Sequence, residues 1–171
     1  MHGTRVAGGS IGAVATSRSV GKAPTRGSFM LVNNEVGVIN PIKQLSSKIH
    51  SLSSDALFHT DAVQALGKID IDVRELGVDL LTLSAHKIHG PKGIGALFIR
   101  RGIKIEPLLH GGAQERNRRG GTESTALAVG FGYTIRQMQV QTTESRNKLK
   151  KLSKISFIKI FSDKTKTTIK N

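Results

Sequence analysis

The chain has 171 residues, no cysteine and a formal net charge of +14. This length suits one domain with one core, and the lack of cysteine excludes disulfides, thiolate zinc sites and a cysteine nucleophile among these residues. No apolar run reaches the roughly 18 residues that a transmembrane helix needs, so we expect no membrane partner.

The positive charge lies mainly at the two ends of the chain. Residues 35–145 hold 13 basic and 11 acidic residues, whereas residues 146–171 hold nine basic residues and one acidic residue. A nearly neutral body argues against nucleic acid as a partner, and a basic tail is typical of a solvated segment. A basic, non-enzymatic binding module is kept as an alternative, and it predicts nucleic-acid binding that weakens steeply with salt.

Residues 1–28 are rich in Gly, Ser, Arg and Ala and show little periodicity. We expect them to form a disordered segment outside the domain. The segment has no acidic residue, which is also typical of organelle transit peptides. The expected location is therefore cytoplasmic, or mitochondrial if the segment is a transit peptide.

From Phe29 onward, strand patterns alternate with helix patterns. Residues 29–32 and 56–61 are short apolar runs typical of strands, and between them Pro41 can begin a helix. Apolar residues follow it at helical spacing: Ile42, Leu45, Ile49 and Leu52. The remaining predicted elements are a short helix at 73–76, strands at 79–83, 94–101 and possibly 104–109, and a long helix at 126–140. Such alternation predicts an α/β fold with a mostly parallel sheet.

Polar clusters follow three of the predicted strands. They are Asn33-Asn34-Glu35, then His59, Asp61 and Gln64, then Ser84, His86 and Lys87. In an open parallel sheet, ligands bind beyond the carboxyl ends of the strands. We therefore expect the three clusters to meet at one edge of the sheet.

These residue types suit pyridoxal 5'-phosphate (PLP). The cofactor needs a lysine for its Schiff base, a carboxylate that keeps the pyridine nitrogen protonated, and donors for its phenolic oxygen and its phosphate. In that order, the candidates are Lys87, Asp61, Asn34 with Gln64, and Ser84 with His86. A metal hydrolase using His59, Asp61, His86 and His89 is an alternative, but it leaves Lys87, Gln64 and Asn34 without a role.

Four segments together resemble successive motifs of the cysteine desulfurases, PLP enzymes of the class V aminotransferase-like group. They are "VNNEVGVINPI", "FHTDAVQALGKI", "SAHKIHGPKGIGALFIRR" and "HGGAQERNRRGGTES". The resemblance covers about residues 29–145 and keeps the order of the family's motifs. It implies a three-layer PLP-transferase-like large domain with a mostly parallel sheet.

The resemblance also implies the roles of individual residues. Lys87 matches the lysine that carries the cofactor, and Asp61 matches the aspartate on the pyridine nitrogen. Asn34 and Gln64 match residues near the phenolic oxygen, and Ser84 and His86 match phosphate ligands. Thr122 matches a threonine that reaches the phosphate of the partner subunit's cofactor, which implies a homodimer.

The family's N-terminal part, its small domain and its mobile cysteine have no counterpart here. We therefore expect an incomplete large domain over 29–130, followed by a helix and a basic tail over 131–171. The implied activity converts L-cysteine to L-alanine and passes persulfide sulfur to iron–sulfur cluster assembly or tRNA thiolation, through a sulfur-acceptor scaffold protein. A chain without the catalytic cysteine is expected to be inactive alone. A selenocysteine or cysteine lyase is the closest alternative.

Overall fold

The computed structural model describes residues 3–4, 13–16, 26–139, 147–148 and 151–152. Most of the basic C-terminal tail and much of the first 25 residues lie outside this set. None of the described helices has the length and apolar character needed to cross a membrane.

The sheet contains six strands whose spatial order equals their order along the chain. They are β1 (Gly3–Thr4), β2 (Ala13–Thr16), β3 (Arg26–Met30), β4 (Leu57–Asp61), β5 (Leu80–Ser84) and β6 (Gly95–Ile99). Strands β3, β4 and β5 are parallel to one another, whereas β6 runs antiparallel to β5. Strands β1 and β2 add antiparallel pairs beside β3.

The predicted α/β class is confirmed, and two of the three pairings within β3–β6 are parallel. Strand β6 departs from the parallel arrangement because only a short segment, 85–94, joins it to β5. A parallel crossover needs a dozen or more residues, so this connection can only return antiparallel. Strand β3 begins at Arg26, three residues before the predicted start. The domain boundary placed at residue 28 stays a prediction.

The helices agree closely with the sequence pattern. They are α1 (Ile42–Leu52), α2 (Val73–Leu76), a 3-10 turn (Ala85–Ile88), a short turn α3 (Gln114–Asn117) and a long helix, α4, over 125–139. Helix α2 is capped at both ends, because the Asp72 carboxylate accepts from Arg74 N at 2.8 Å and Gly77 closes the helix at φ 66°. The strand predicted at 104–109 is wrong, since that segment has no regular structure.

One face of the sheet carries the main core. Alternate residues of β3 and β4 point to it, and the rings of Phe29 and Phe58 stack there with centroids 5.5 Å apart. Helix α1 lies against this face so closely that a Cβ on Gly27 would meet Ile49 Cδ1 at 2.6 Å. Glycine at this position therefore allows the helix to approach the strand. Helix α4 contributes Phe131 to a second cluster, with Ala85 and Ile88.

The other face of the sheet, here called the second face, is only partly covered. It carries the alternate residues of four strands: Ser28 and Met30, His59 and Asp61, Thr82 and Ser84, Leu97 and Ile99. None of these eight residues is fully buried, and Leu97 is 45% exposed. Parallel sheets usually bury both faces, so the partly covered second face has room for a ligand.

A buried carboxylate ties the layers together. Asp79 is 3% exposed and precedes β5. Its Oδ2 accepts from the backbone N of Phe58 in β4 at 2.7 Å and contacts His50 Nε2 in α1 at 2.9 Å. Its Oδ1 lies 3.3 Å from a guanidinium nitrogen of Arg100, just after β6. One side chain thus joins a helix, a neighbouring strand and the end of the hairpin.

We predict that Asp79→Asn lowers the free energy of unfolding by about 2–4 kcal/mol, because it removes the charge from a buried, fully partnered carboxylate. Urea unfolding of the two proteins would measure the difference. Asp55→Asn, at an exposed turn, is the matched control and should change stability by less than about 0.5 kcal/mol. Equal effects of the two substitutions would contradict the central role of Asp79.

Candidate functional site

The carboxyl ends of three parallel strands meet at one edge of the sheet. In register, Met30 of β3 lies beside Asp61 of β4, which lies beside Thr82 of β5. Asp61 and Ser84 are the last residues of their strands. The segments that follow these strands carry Asn34, Gln64, His86 and Lys87. The structure therefore brings the predicted clusters to the same edge.

A tight turn after β5 positions Ser84, His86 and Lys87. The Ser84 hydroxyl lies 2.8 Å from His86 Nδ1, and the 3-10 turn then exposes the Lys87 side chain. His89 follows at φ 64°, and Gly90 N donates to Ala85 O at 2.9 Å. A Cβ on Gly90 would meet that carbonyl oxygen at 2.9 Å, so the turn requires glycine here. Lys87 extends from this turn with an exposed side chain.

Asp61 ends β4 and Gln64 lies in the turns that follow it, and both residues are half-buried. Asp61 Oδ1 accepts from Val63 N at 2.9 Å, which fixes the carboxylate. Within the described residues its Oδ2 has no hydrogen bond, so it can accept one from a ligand. Gln64 Oε1 accepts from Lys68 Nζ at 2.7 Å, and its amide nitrogen is left to donate.

The loop after β3 holds Asn34 at its tip. Asn33 is buried, and its Oδ1 accepts from Glu35 N and Val36 N, both at 2.9 Å. This arrangement is an Asx turn, in which the side chain organises the backbone that follows. Asn34 is exposed and makes no hydrogen bond with the described part of the chain. The first asparagine of the pair is thus structural, and the second is left for a ligand.

Thr122 lies in the segment between α3 and α4. The threonine is exposed, and no hydrogen bond joins it to the described residues. The loop before it is closed by Gly120 N, which donates to Leu109 O at 2.8 Å. Position 120 requires glycine, because a Cβ there would meet Gly111 N at 2.8 Å. Thr122 therefore projects from a fixed loop.

The imidazole of His59, which the sequence placed in a strand-end cluster and offered as a metal ligand, joins three strands. His59 Nδ1 lies 2.7 Å from Ser28 Oγ of β3, and its Nε2 lies 3.3 Å from Thr82 Oγ1 of β5. Burial lowers the pKa of His59 below its ordinary value of 6.5, although the neighbouring Asp61 carboxylate opposes this by raising it. The neutral ring is therefore favoured near pH 7. Alternate residues of a strand share one face of the sheet. That alternation within each strand is the sequence signal that could place Ser28, His59 and Thr82 on the same face.

The chemistry of these groups fits PLP. An exposed amine, a half-buried carboxylate with a free oxygen, and a paired hydroxyl and imidazole lie at one sheet edge. Among the described residues, no three His, Asp or Glu side chains are grouped so as to hold a metal ion.

The lowered pKa of His59 predicts a pH dependence of stability. Below about pH 6.5 the unfolded chain binds a proton at this ring that the folded chain resists, so stability should fall as pH drops from 7 to 5. Asp61→Asn should lower the pKa of His59 further, because the carboxylate is what raises it. Two-dimensional NMR of the imidazole would follow both titrations, with Asp55→Asn as the control. A His59 that titrates above 6.5 in the unsubstituted protein would contradict the prediction.

The chain is similar to cysteine desulfurases and to NifS-like proteins. The chain is 51% identical over 125 residues to the cysteine desulfurase IscS of Methanosarcina thermophila; the match covers 73% of this chain and 30% of that protein. Among solved structures, a NifS-like protein is 38% identical with a TM-score of 0.75, over 79% of this chain and 37% of that one. A structure described as SspA in complex with cysteine is 45% identical with a TM-score of 0.59, over 64% of this chain and 31% of that one.

The chain thus spans about a third of the length of the curated relatives that it matches. The family model of the class V aminotransferases matches residues 9–169, which is most of the chain. Together with the sheet edge that carries Lys87 and Asp61, this match shows that the chain belongs to the class V aminotransferase family.

Proposed function

We propose that this chain is the cofactor-binding part of a cysteine desulfurase, which converts L-cysteine to L-alanine and passes the sulfur on as a persulfide. The observation that carries the proposal is the turn bearing Ser84, His86 and Lys87 beside Asp61 at one sheet edge. The names of the relatives support the substrate class: one is a cysteine desulfurase, and one was solved in complex with cysteine.

Each group has a defined task in this proposal. Lys87 holds the PLP aldehyde, Asp61 Oδ2 accepts from the pyridine N–H, and the Ser84–His86 pair binds the phosphate. Asn34 and Gln64 donate to the phenolic oxygen; Gln64 can do so without losing Lys68, because Lys68 occupies only its oxygen. Bound PLP supplies an electron sink for the bond cleavage.

The protein's own contribution is charge placement and proton movement. A carboxylate beside the ring nitrogen favours its protonated state, because opposite charges attract strongly in a sheltered site. The exposed amine of Lys87 is placed to take a proton from the α-carbon of the substrate and to return it. The fixed Asp61 carboxylate needs no rearrangement for its task, since Val63 N already holds one of its oxygens.

The sulfur step needs a thiolate that these residues do not contain. A thiolate attacks the substrate sulfur, the new S–S bond forms as the C–S bond breaks, and the carbon fragment is protonated to give alanine. The 171 residues contain no cysteine, so the thiol must come from outside them. A sulfur-acceptor scaffold protein, feeding iron–sulfur cluster assembly or tRNA thiolation, is the proposed destination.

A homodimer is the proposed assembly. Thr122 projects from a loop that is fixed by Gly120, and its exposed hydroxyl is left to reach a phosphate in the partner subunit's site. The proposed location is cytoplasmic, or mitochondrial if the acid-free N-terminus acts as a transit peptide.

Borohydride reduction of the PLP-treated chain tests the cofactor site. We predict stoichiometric labelling at Lys87, seen by mass spectrometry, and its near-complete loss in Lys87→Ala. Lys92→Ala, another exposed lysine of the same hairpin, is the control and should keep the label. Labelling that survives in Lys87→Ala would place the Schiff base elsewhere and overturn the proposal.

The same preparation should release no sulfide from L-cysteine beyond that released by free PLP, because no thiol is present to accept the sulfur. Methylene-blue detection of sulfide checks this. Turnover that depends on Lys87 without any added thiol would indicate instead a lyase, which needs no cysteine.

The dimer predicts a specific effect of Thr122. Thr122→Val should raise the Kd for PLP about tenfold, because one hydrogen bond to a charged phosphate is lost. Thr125→Val, a nearby exposed threonine at the start of α4, is the control. Sedimentation should show a dimer in both variants. The proposed assembly would be contradicted if the chain were a monomer and Thr122→Val bound PLP as tightly as the unsubstituted chain.

A further inference from the structure

The turns that follow β4 hold Gln64 and Lys68 at a fixed spacing. Leu66 N donates to Ala62 O at 3.1 Å, and Lys68 N donates to Ala65 O at 2.9 Å. Both alanines are fully buried, so this stretch of backbone is anchored in the core. The freedom that remains to Gln64 is therefore rotation of its side chain.

The contact between these two side chains determines which end of the Gln64 carboxamide is left for a ligand. Lys68 Nζ donates to Gln64 Oε1 at 2.7 Å. An ammonium group has three donors and no acceptor, and an amide NH₂ group can only donate. The amide nitrogen cannot replace the oxygen in this contact, because two donors would then face each other. Lys68 therefore removes one of the two orientations that the terminal amide torsion otherwise allows.

The same contact strengthens the donor at the other end of the amide. Hydrogen bonds to an ionised group are roughly twice as strong as neutral ones, and consecutive hydrogen bonds polarise one another. A positive charge at the carbonyl oxygen draws electron density away from the amide nitrogen, so its N–H groups become better donors. An anionic oxygen is the acceptor that such a donor stabilises most.

We propose that Lys68 is a positioning residue that acts through Gln64 on the phenolic oxygen of bound PLP. This inference rests on the proposed function, in which Gln64 donates to that oxygen. Lys68 holds the carboxamide with its NH₂ group toward the site, and it thereby favours the ionised form of the phenolic oxygen. The exposed lysine need not touch the cofactor to have this effect.

NMR relaxation of the Gln64 side-chain amide tests the first step, in the chain without added PLP. We expect an ordered Nε2 in the unsubstituted chain and in Lys68→Arg, which keeps the charge and the donors, and a mobile Nε2 in Lys68→Met. Lys43→Met makes the same charge change at an exposed position on α1 and should leave the amide ordered. Equal mobility in the unsubstituted chain and in Lys68→Met would overturn the proposal.

A pH titration of the absorbance of bound PLP tests the second step. A donor to the phenolic oxygen lowers the pH at which the bound cofactor loses its proton, because it stabilises the negative charge on that oxygen. Gln64→Ala should raise the midpoint by about 1 pH unit, since a charge-assisted hydrogen bond is lost. Lys68→Met should raise it by about 0.5 unit, since that bond is weakened, whereas Lys68→Arg should leave it unchanged.

A double-mutant cycle separates positioning through Gln64 from a direct effect of the Lys68 charge. In the Gln64→Ala background, Lys68→Met should cause no further shift, because no amide is left to orient. An equal shift in both backgrounds would show that the charge acts directly on the cofactor and would overturn the proposal. An equal shift in Lys43→Met would also overturn it, because any lysine would then have the same effect.

Borohydride labelling of Lys87 in each variant distinguishes this inference from the proposed function. No label in the unsubstituted chain would overturn the proposed function and, with it, the positioning role. Full labelling with the same absorbance midpoint in Lys68→Met and in the unsubstituted chain would overturn the positioning role alone.

Discussion

The carboxylate of Asp79 is the interaction on which the rest of the fold depends. A buried charge is costly unless every lone pair is used, and here the partners come from α1, β4 and the residue after β6. Because those partners are distant along the chain, the carboxylate is satisfied only when helix, strand and hairpin are all in place. It therefore fixes the register of β5 against β4. Through that register it also fixes the positions of the site residues at the strand ends.

Much of this arrangement could be predicted from the pattern of apolar, capping and turn residues in the sequence. Helix α1 was predictable because Ile42 and Ile49 recur at helical spacing after Pro41, and α2 was predictable because Asp72 and Gly77 are strong signals at helix ends. The shared edge was also predictable, since Asp61 and Ser84 end apolar runs that form adjacent parallel strands. For Lys87, Asn34 and Gln64, the sequence pattern showed that the side chains are chemically suited to their roles. Those roles remain proposals.

Other features depend on contacts that no local pattern encodes. Asp79 stands in an ordinary place before a strand, and its three partners lie 21 to 29 residues away. The prediction of a mostly parallel sheet left the direction of β6 open, because glycine and proline after Lys87 mark a turn but not the direction in which the chain leaves it. Similarly, residues 104–109 were read as a possible strand, but within the described residues no strand pairs with them. The left-handed turn at Glu115–Asn117 has a weak sequence signal, because only Asn117 is of a residue type that favours this conformation.

The hydrogen bonds of His59 have a directional consequence. A neutral imidazole has one N–H and one bare nitrogen, so of Ser28 and Thr82 one hydroxyl must accept from the ring while the other donates to it. The two hydroxyl protons are therefore correlated across three strands, although the side chains do not touch. Shifting the ring proton from one nitrogen to the other would require both hydroxyls to rotate together. The second face thus has two proton arrangements, and a ligand that fixes one hydroxyl would also determine the orientation of the other.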